Sequence, residues 1–161
     1  MPKFEPIRFE RGRPMLLGGL RRYHAYTQSA RSIPEQWKDF RAIGRVPGQL
    51  GITCYGVMCG HDAEGIEYMS GVEVDSFAGL PSELGRMRIL EEEYAVFVHQ
   101  GQVSTIRATW ERILHKWLPN GGYLSAHKPD FEVYDQRFDI RTGSGEVEIW
   151  ISIMKACSPD A

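Results

Sequence analysis

The chain repeats itself. Ile33 and Ile106, Trp37 and Trp110, and Phe40 and Ile113 are each 73 positions apart. All six lie in two segments, "SIPEQWKDFRAI" and "VSTIRATWERILHKWL", whose apolar residues recur at helical spacing. A long strand-like run precedes each, "MLLGGLRRYHAY" and "MRILEEEYAVFVHQG". Two further strand candidates follow each: "GITCYGV" and "IEYMSGVEV", then "DFEVYD" and "EVEIWISI". The chain therefore reads as βαββ written twice. A unit this long, occurring only twice, excludes a solenoid. It predicts an α+β domain: duplicated βαββ units forming an antiparallel sheet, helices on one face, and a ligand groove between the halves. The expected boundaries are an extension over 1–13, the domain over 14–154 with repeats at 14–75 and 86–154, and a tail over 155–161.

Local signals sharpen this reading. Ser32 is the expected N-cap of the first helix, with Glu35 as its capping-box partner and Pro34 in the first turn. The second helix presents Val103, Ile106, Trp110, Ile113, Leu114 and Trp117 as one stripe and ends at Pro119-Asn120-Gly121-Gly122. Trp37, Trp110 and Trp117 are accordingly expected in the core. In "KPDFEVYD", Phe131 and Val133 point to one side and Glu132 and Tyr134 to the other. Matching apolar to apolar puts Phe131 and Val133 with Val147, Ile149, Ile151 and Ile153 beneath the helices. Glu132, Tyr134, Glu148 and Trp150 are then the groove face. Tyr55 and Tyr134 occupy comparable places in the two halves.

Composition excludes more than it assigns. At 161 residues, with 42% hydrophobic and 25% charged residues, the chain suits one domain with a substantial core. The formal charge of −2 argues against a direct nucleic-acid surface. The arginines at 8, 11, 13, 21 and 22 are interrupted by acids and read as a solvated face. No apolar leader or membrane-length run is found, so a cytoplasmic location is expected. Cys54, Cys59 and Cys157 are odd in number and irregularly spaced, which suits reduced thiols. Cys54, Cys59 and His61 are close in sequence but lack a matching fourth ligand, so no metal and no cofactor is expected.

Together these pieces resemble the GyrI-like effector-binding domain, found also at the C-terminus of bacterial AraC-type and MerR-type multidrug-responsive regulators. The resemblance rests on the strand ending His99-Gln100-Gly101, the helix closing on Trp117-Leu118-Pro119, the Gly122-Tyr123 turn, the Phe131-Glu132-x-Tyr134 strand and the final Glu-Ile-Trp-Ile strand. "YGV" and "YMSGVEV" in the first half add to it. The family often has proline after Ile-Trp-Ile, where this chain has Ser152. What the resemblance implies is a ligand groove between related halves, with a glutamate that meets cationic, aromatic drugs and dyes. That role carries over to Glu132, with Tyr134, Trp150, Tyr68 and Tyr55 as the aromatic wall.

The residue types suit such a guest. Ring faces attract an organic cation by about 0.5–2 kcal/mol per well-placed ring, and a carboxylate among them supplies the counter-charge. Burial raises the carboxylate's pKa. The expected function is a stand-alone binding module for amphipathic aromatic, cationic small molecules, in sensing or sequestration. The alternatives implied by the family are a metal-independent hydrolase of strained cyclopropanoid electrophiles, with Glu132 activating water beside Tyr68 or Tyr134, and a gyrase-inhibitor-type interaction protein. No Ser/His/Asp or Cys/His arrangement supports other catalysis. No direct nucleic-acid or membrane partner is expected, and a regulator or gyrase partner stays open.

Overall fold

The computed structural model describes residues 3–156; Cys157 and the remainder of the expected tail lie outside the described residues. The first half comprises β2 (Met15–Ala25), α1 (Ser29–Ile43), β3 (Gln49–His61) and β4 (Gly65–Val74). The second comprises β6 (Glu93–Gln102), α2 (Ile106–Arg112), α3 (Leu118–Asn120), β8 (Asp130–Tyr134) and β10 (Ser144–Lys155). A 3₁₀ turn over Val103–Thr105 leads into α2, and a π turn over Ile113–Trp117 joins it to α3. Short strands β1 (Arg8–Arg11), β5 (Gly85–Ile89), β7 (Tyr123–Ser125) and β9 (Phe138–Asp139) complete the chain.

The strand order is β1-β6-β10-β8-β3-β4-β2-β5, with β7 and β9 also on β10. The duplication is visible as β6-β10-β8 set against β3-β4-β2, with antiparallel β8 and β3 forming the seam. Each unit is preceded by a strand that pairs with the other unit: β1 joins β6, and β5 joins β2. Residues 8–11, read as part of an extension, thus form an edge strand. The run "MRILEEEYAVFVHQG" is two strands on opposite lobes rather than one.

Those pairings curl the sheet. Only residues 12–14 lie between β1 and β2, and only 90–92 between β5 and β6. Neither link can span more than about 14 Å, at about 3.5 Å per residue. The two ends of the sheet must therefore approach each other. Inside the curl, Met15, Leu17 and Ile89 from one lobe pack with Tyr94, Val96 and Phe131 from the other.

Both helical segments cover the outer face. Phe40 of α1 packs with Val46, Val72 and Val74, while Ile113 packs with Phe97, Ile149, Ile151 and Ile153. The sheet is thus buried on both sides, and apolar residues occur on both faces of its strands.

This burial overturns the expected face assignment. In the β8–β10 register, Glu132 stands opposite Ile149, while Phe131 and Val133 stand opposite Trp150 and Glu148. Directly opposed residues share a face. Glu132 and Tyr134 therefore lie beneath the helices with Ile149. Phe131 and Val133 line the curl with Trp150, Glu148 and Tyr55. Tyr55 opposes Val133, and Cys54 opposes Tyr134, so Tyr55 and Tyr134 are on opposite faces.

The first helix also starts earlier than its capping signal suggests. It begins at Ser29 with Gln28 at the N-cap position. Ser32 Oγ instead bonds His24 Nδ1 at 2.6 Å. A tertiary partner has taken the hydroxyl that sequence assigns to the backbone.

Candidate functional site

Two polar pins set the helices over the seam. Gln36, fully buried, donates through Nε2 to the carbonyls of Leu20 and Tyr68 at 3.0 and 3.1 Å, tying α1 to β2 and β4. Its Oε1 meets His24 Nε2. In the second half, His99 Nδ1 meets Thr109 Oγ1 at 2.7 Å. Thr109 lies 73 positions after Gln36, so the duplication extends to these contacts. Each pin immediately precedes a tryptophan, Trp37 or Trp110, and orients it toward the seam.

Glu132 sits where the two tryptophans converge. Tyr68 and Tyr134 donate their hydroxyls to its Oε1 at 2.7 and 2.8 Å. The Trp110 indole N–H donates to Oε2 at 2.9 Å, and the Trp37 indole N–H donates to the Tyr68 hydroxyl at 3.0 Å. Trp37 and Tyr134 meet edge to face at 5.2 Å, and Phe138 continues the aromatic wall at 5.1 Å from Tyr134. Gly56, opposite Glu132 in β3, makes the cluster possible, because a Cβ there would collide with the Tyr68 hydroxyl and Glu132 Oε1.

The electrostatics are asymmetric. Glu132 is 3% exposed, and among the described residues it has no ion-pair partner. Burial pushes its pKa up, against the three hydrogen bonds and the nearby His99 that favour the charged form. Burial beside Glu132 also drives the Tyr68 and Tyr134 phenols well above their usual value, keeping both protonated donors. The result is a dry carboxylate held by neutral donors, with no positive charge of its own.

The structure brings together Glu132, Tyr134 and Tyr68 from the expected set. It does not bring Tyr55 or Trp150, which lie across the sheet and line a separate cleft of about 320 Å³. Sequence reasoning missed Trp37, Trp110 and Gly56. The tryptophans do pack with core residues, as expected, but their N–H groups serve the site. An amphipathic stripe carrying two tryptophans at repeat spacing was the available signal, since a buried indole N–H needs an acceptor. Trp117 is a core residue, stacked on Tyr123 at 5.7 Å. Cys54 packs under α1 and Cys59 inside the curl, both as free thiols, and no group of three metal-ligating side chains occurs among the described residues. No helix among them is long and apolar enough to cross a membrane.

A duplicated βαββ sheet with its polar site at the seam defines a class, and comparison with known proteins agrees. The chain belongs to the GyrI-like small molecule binding domain family, which matches residues 5–154. It is 33% identical over 85 residues to the transcriptional regulator BrlR of Pseudomonas aeruginosa, covering 52% of this chain and 31% of that protein. The match thus spans less than a third of that regulator. Among solved structures, SAV2435 bound to tetraphenylphosphonium superposes with a TM-score of 0.72 at 19% identity, covering 91% of this chain and 93% of that one. The EcmrR C-terminal domain gives 0.67 at 14% identity, covering 92% and 97%.

Proposed function

We propose that this domain binds amphipathic, aromatic organic cations over the seam, with Glu132 as counter-charge and Tyr68, Tyr134, Trp37 and Trp110 as walls. The observation that carries this reading is the buried carboxylate lacking any internal cation. Removing an ionised group from water costs several kcal/mol, and neutral hydrogen bonds recover only part of it. A guest bringing both positive charge and flat apolar surface supplies what the site lacks. The rings reward that guest from several directions without fixing its shape, which favours a broad ligand range. The tetraphenylphosphonium bound to SAV2435 has this chemistry.

The test compares tetraphenylphosphonium with neutral triphenylphosphine oxide by calorimetric titration. Glu132→Gln is expected to weaken the phosphonium by about 30-fold or more, the scale for stripping one partner from a buried charge pair. The neutral compound should change by no more than about threefold, the scale of a minor packing adjustment. Equal loss for both compounds would remove the charge role of Glu132.

A second reading, hydrolysis of strained cyclopropane-bearing electrophiles, is favoured by one geometric fact. Two phenols share one carboxylate oxygen, so a base and a proton donor stand side by side. Oxygen-18 water incorporated into an opened ring by the wild type, and not by Glu132→Ala, would establish it.

A further inference from the structure

The cleft of about 320 Å³ inside the curl is separate from the seam. Its walls are Tyr55, Tyr94, Phe131 and Trp150, and the backbone segment through Gly12 and Arg13 passes along its rim. The rings buttress one another. Phe131 stacks on Trp150 at 5.4 Å, while Tyr94 meets both edge-on at 5.3 and 5.4 Å. Gly12 allows the rim to lie against Tyr94, because a Cβ there would stand 2.6 Å from its Cε2.

Two hydroxyls here are unspent. Tyr94 is 1% exposed and Tyr55 9%, yet neither hydroxyl has a hydrogen-bond partner among the described residues, unlike those of Tyr68 and Tyr134. Every fully buried side-chain polar atom among the described residues does have a partner. The Tyr55 and Tyr94 hydroxyls must therefore surface, and the cleft is what both residues line. Burial raises both phenols, Tyr94 to about 12, so both remain protonated donors at neutral pH.

The rim adds more donors. Arg13 commits two N–H groups to Glu73 and Arg11 bonds Glu91 and Glu93, yet each guanidinium carries five. The one acid of the lining, Glu10, already accepts from Arg8 at 2.9 Å. The available groups are thus donors set around apolar rings, the reverse of the acceptor-centred cluster at Glu132. We infer that this cleft is a second ligand site, for a planar aromatic carboxylate of one or two rings. Its rings would lie against Phe131 and its carboxylate would accept from the hydroxyls of Tyr55 and Tyr94 beside Arg13. The volume is at the lower end of small-molecule pockets, which sets the size.

The probe is 2-naphthoate, titrated calorimetrically against the whole chain, with 2-naphthylmethylammonium as its charge-reversed counterpart. The expected result is roughly sub-millimolar binding of the carboxylate and at least about tenfold weaker binding of the ammonium. Tyr94→Phe and Tyr55→Phe should each weaken naphthoate by about tenfold, the value of one hydrogen bond to a charged acceptor. Arg13→Gln should weaken it further, and Glu132→Gln should leave it within about twofold, since that side chain lies across the sheet. Thermal unfolding checks that each variant is folded; Tyr→Phe here deletes an atom bonded to nothing in the protein. The proposal is overturned if naphthoate does not bind, if the ammonium binds as well, if both phenylalanine variants bind like wild type, or if Glu132→Gln abolishes binding.

Discussion

Glu132 and Glu148 stand on neighbouring strands, 3% and 6% exposed, and differ in what faces them. Glu148 points into the curl, where Arg8 grips it with two hydrogen bonds at 3.0 and 3.1 Å and Arg137 approaches to 3.2 Å. Burial would raise its pKa, but the Arg8 and Trp150 hydrogen bonds and the two guanidinium charges together hold it low. Glu132 points outward beneath the helices, receives three neutral donors, and has its pKa raised. One carboxylate is neutralised from within; the other is left for something from outside. A buried charge by itself is thus no sign of a site, and the missing partner is the informative part.

The largest stability effect should come from spoiling the internally paired case. Arg8→Ala strips Glu148 of its main partner and is expected to cost about 3 kcal/mol, the low end for a broken buried pair because Arg137 remains. Urea unfolding measures it, and a loss below about 0.5 kcal/mol would make the pair a surface ornament.

Next comes pH, where the two carboxylates act with opposite sign. A raised folded-state pKa contributes stability that is fully present below the ordinary carboxylate value and lost as pH climbs through the raised one; this is Glu132. A lowered one contributes stability present above the ordinary value and lost as pH falls through the lowered one; this is Glu148. Glu132→Gln should therefore flatten the loss on the rising side, and Glu148→Gln the loss on the acid side. Asp130, buried and pushed up to about 6 while accepting from the backbone and hydroxyl of Ser152, shares the rising side. Its share is roughly 2–3 kcal/mol between about pH 4 and 6, and Asp130→Asn should remove it. Unfolding curves across that range decide the matter, and superimposable wild-type and Asp130→Asn profiles would refute it.

The smallest effect sharpens the comparison at Glu132 itself. Trp110→Phe deletes one donor, so the carboxylate's pKa should rise further, with a stability loss of about 1–2 kcal/mol for the unsatisfied buried acceptor. Carboxyl carbon NMR titration reads the pKa directly; no change would place the Trp110 contact outside the charge balance.

Much of this was readable beforehand. The repeat spacing of Trp37 and Trp110 gave the duplicated architecture, because a helix face and its sheet partner recur together. Alternation correctly split Glu132 and Tyr134 from Phe131 and Val133 within one strand, and Glu148 and Trp150 from Ile149 within another. It did not say how the two strands face each other, since that depends on register, and a one-residue slip exchanges the faces. Here both faces are buried, so matching apolar to apolar chose the wrong alignment. Tyr68 was recoverable from the family resemblance, whereas Gly56 and the indole N–H groups matter only through distances that a linear pattern does not contain. The π turn after Trp110 left no mark in the amphipathic stripe.

The two short crossings at residues 12–14 and 90–92 carry a mechanical consequence. A pair of lobes joined by one tether opens like a clam; a pair laced twice at the same rim is drawn closed like a purse. Spreading the β8–β3 seam from inside the curl would have to stretch both laces at once. Room for a bulky guest at Glu132 must therefore come from the layer above it, through rearrangement of Trp37, Trp110 and the backbone that bears them.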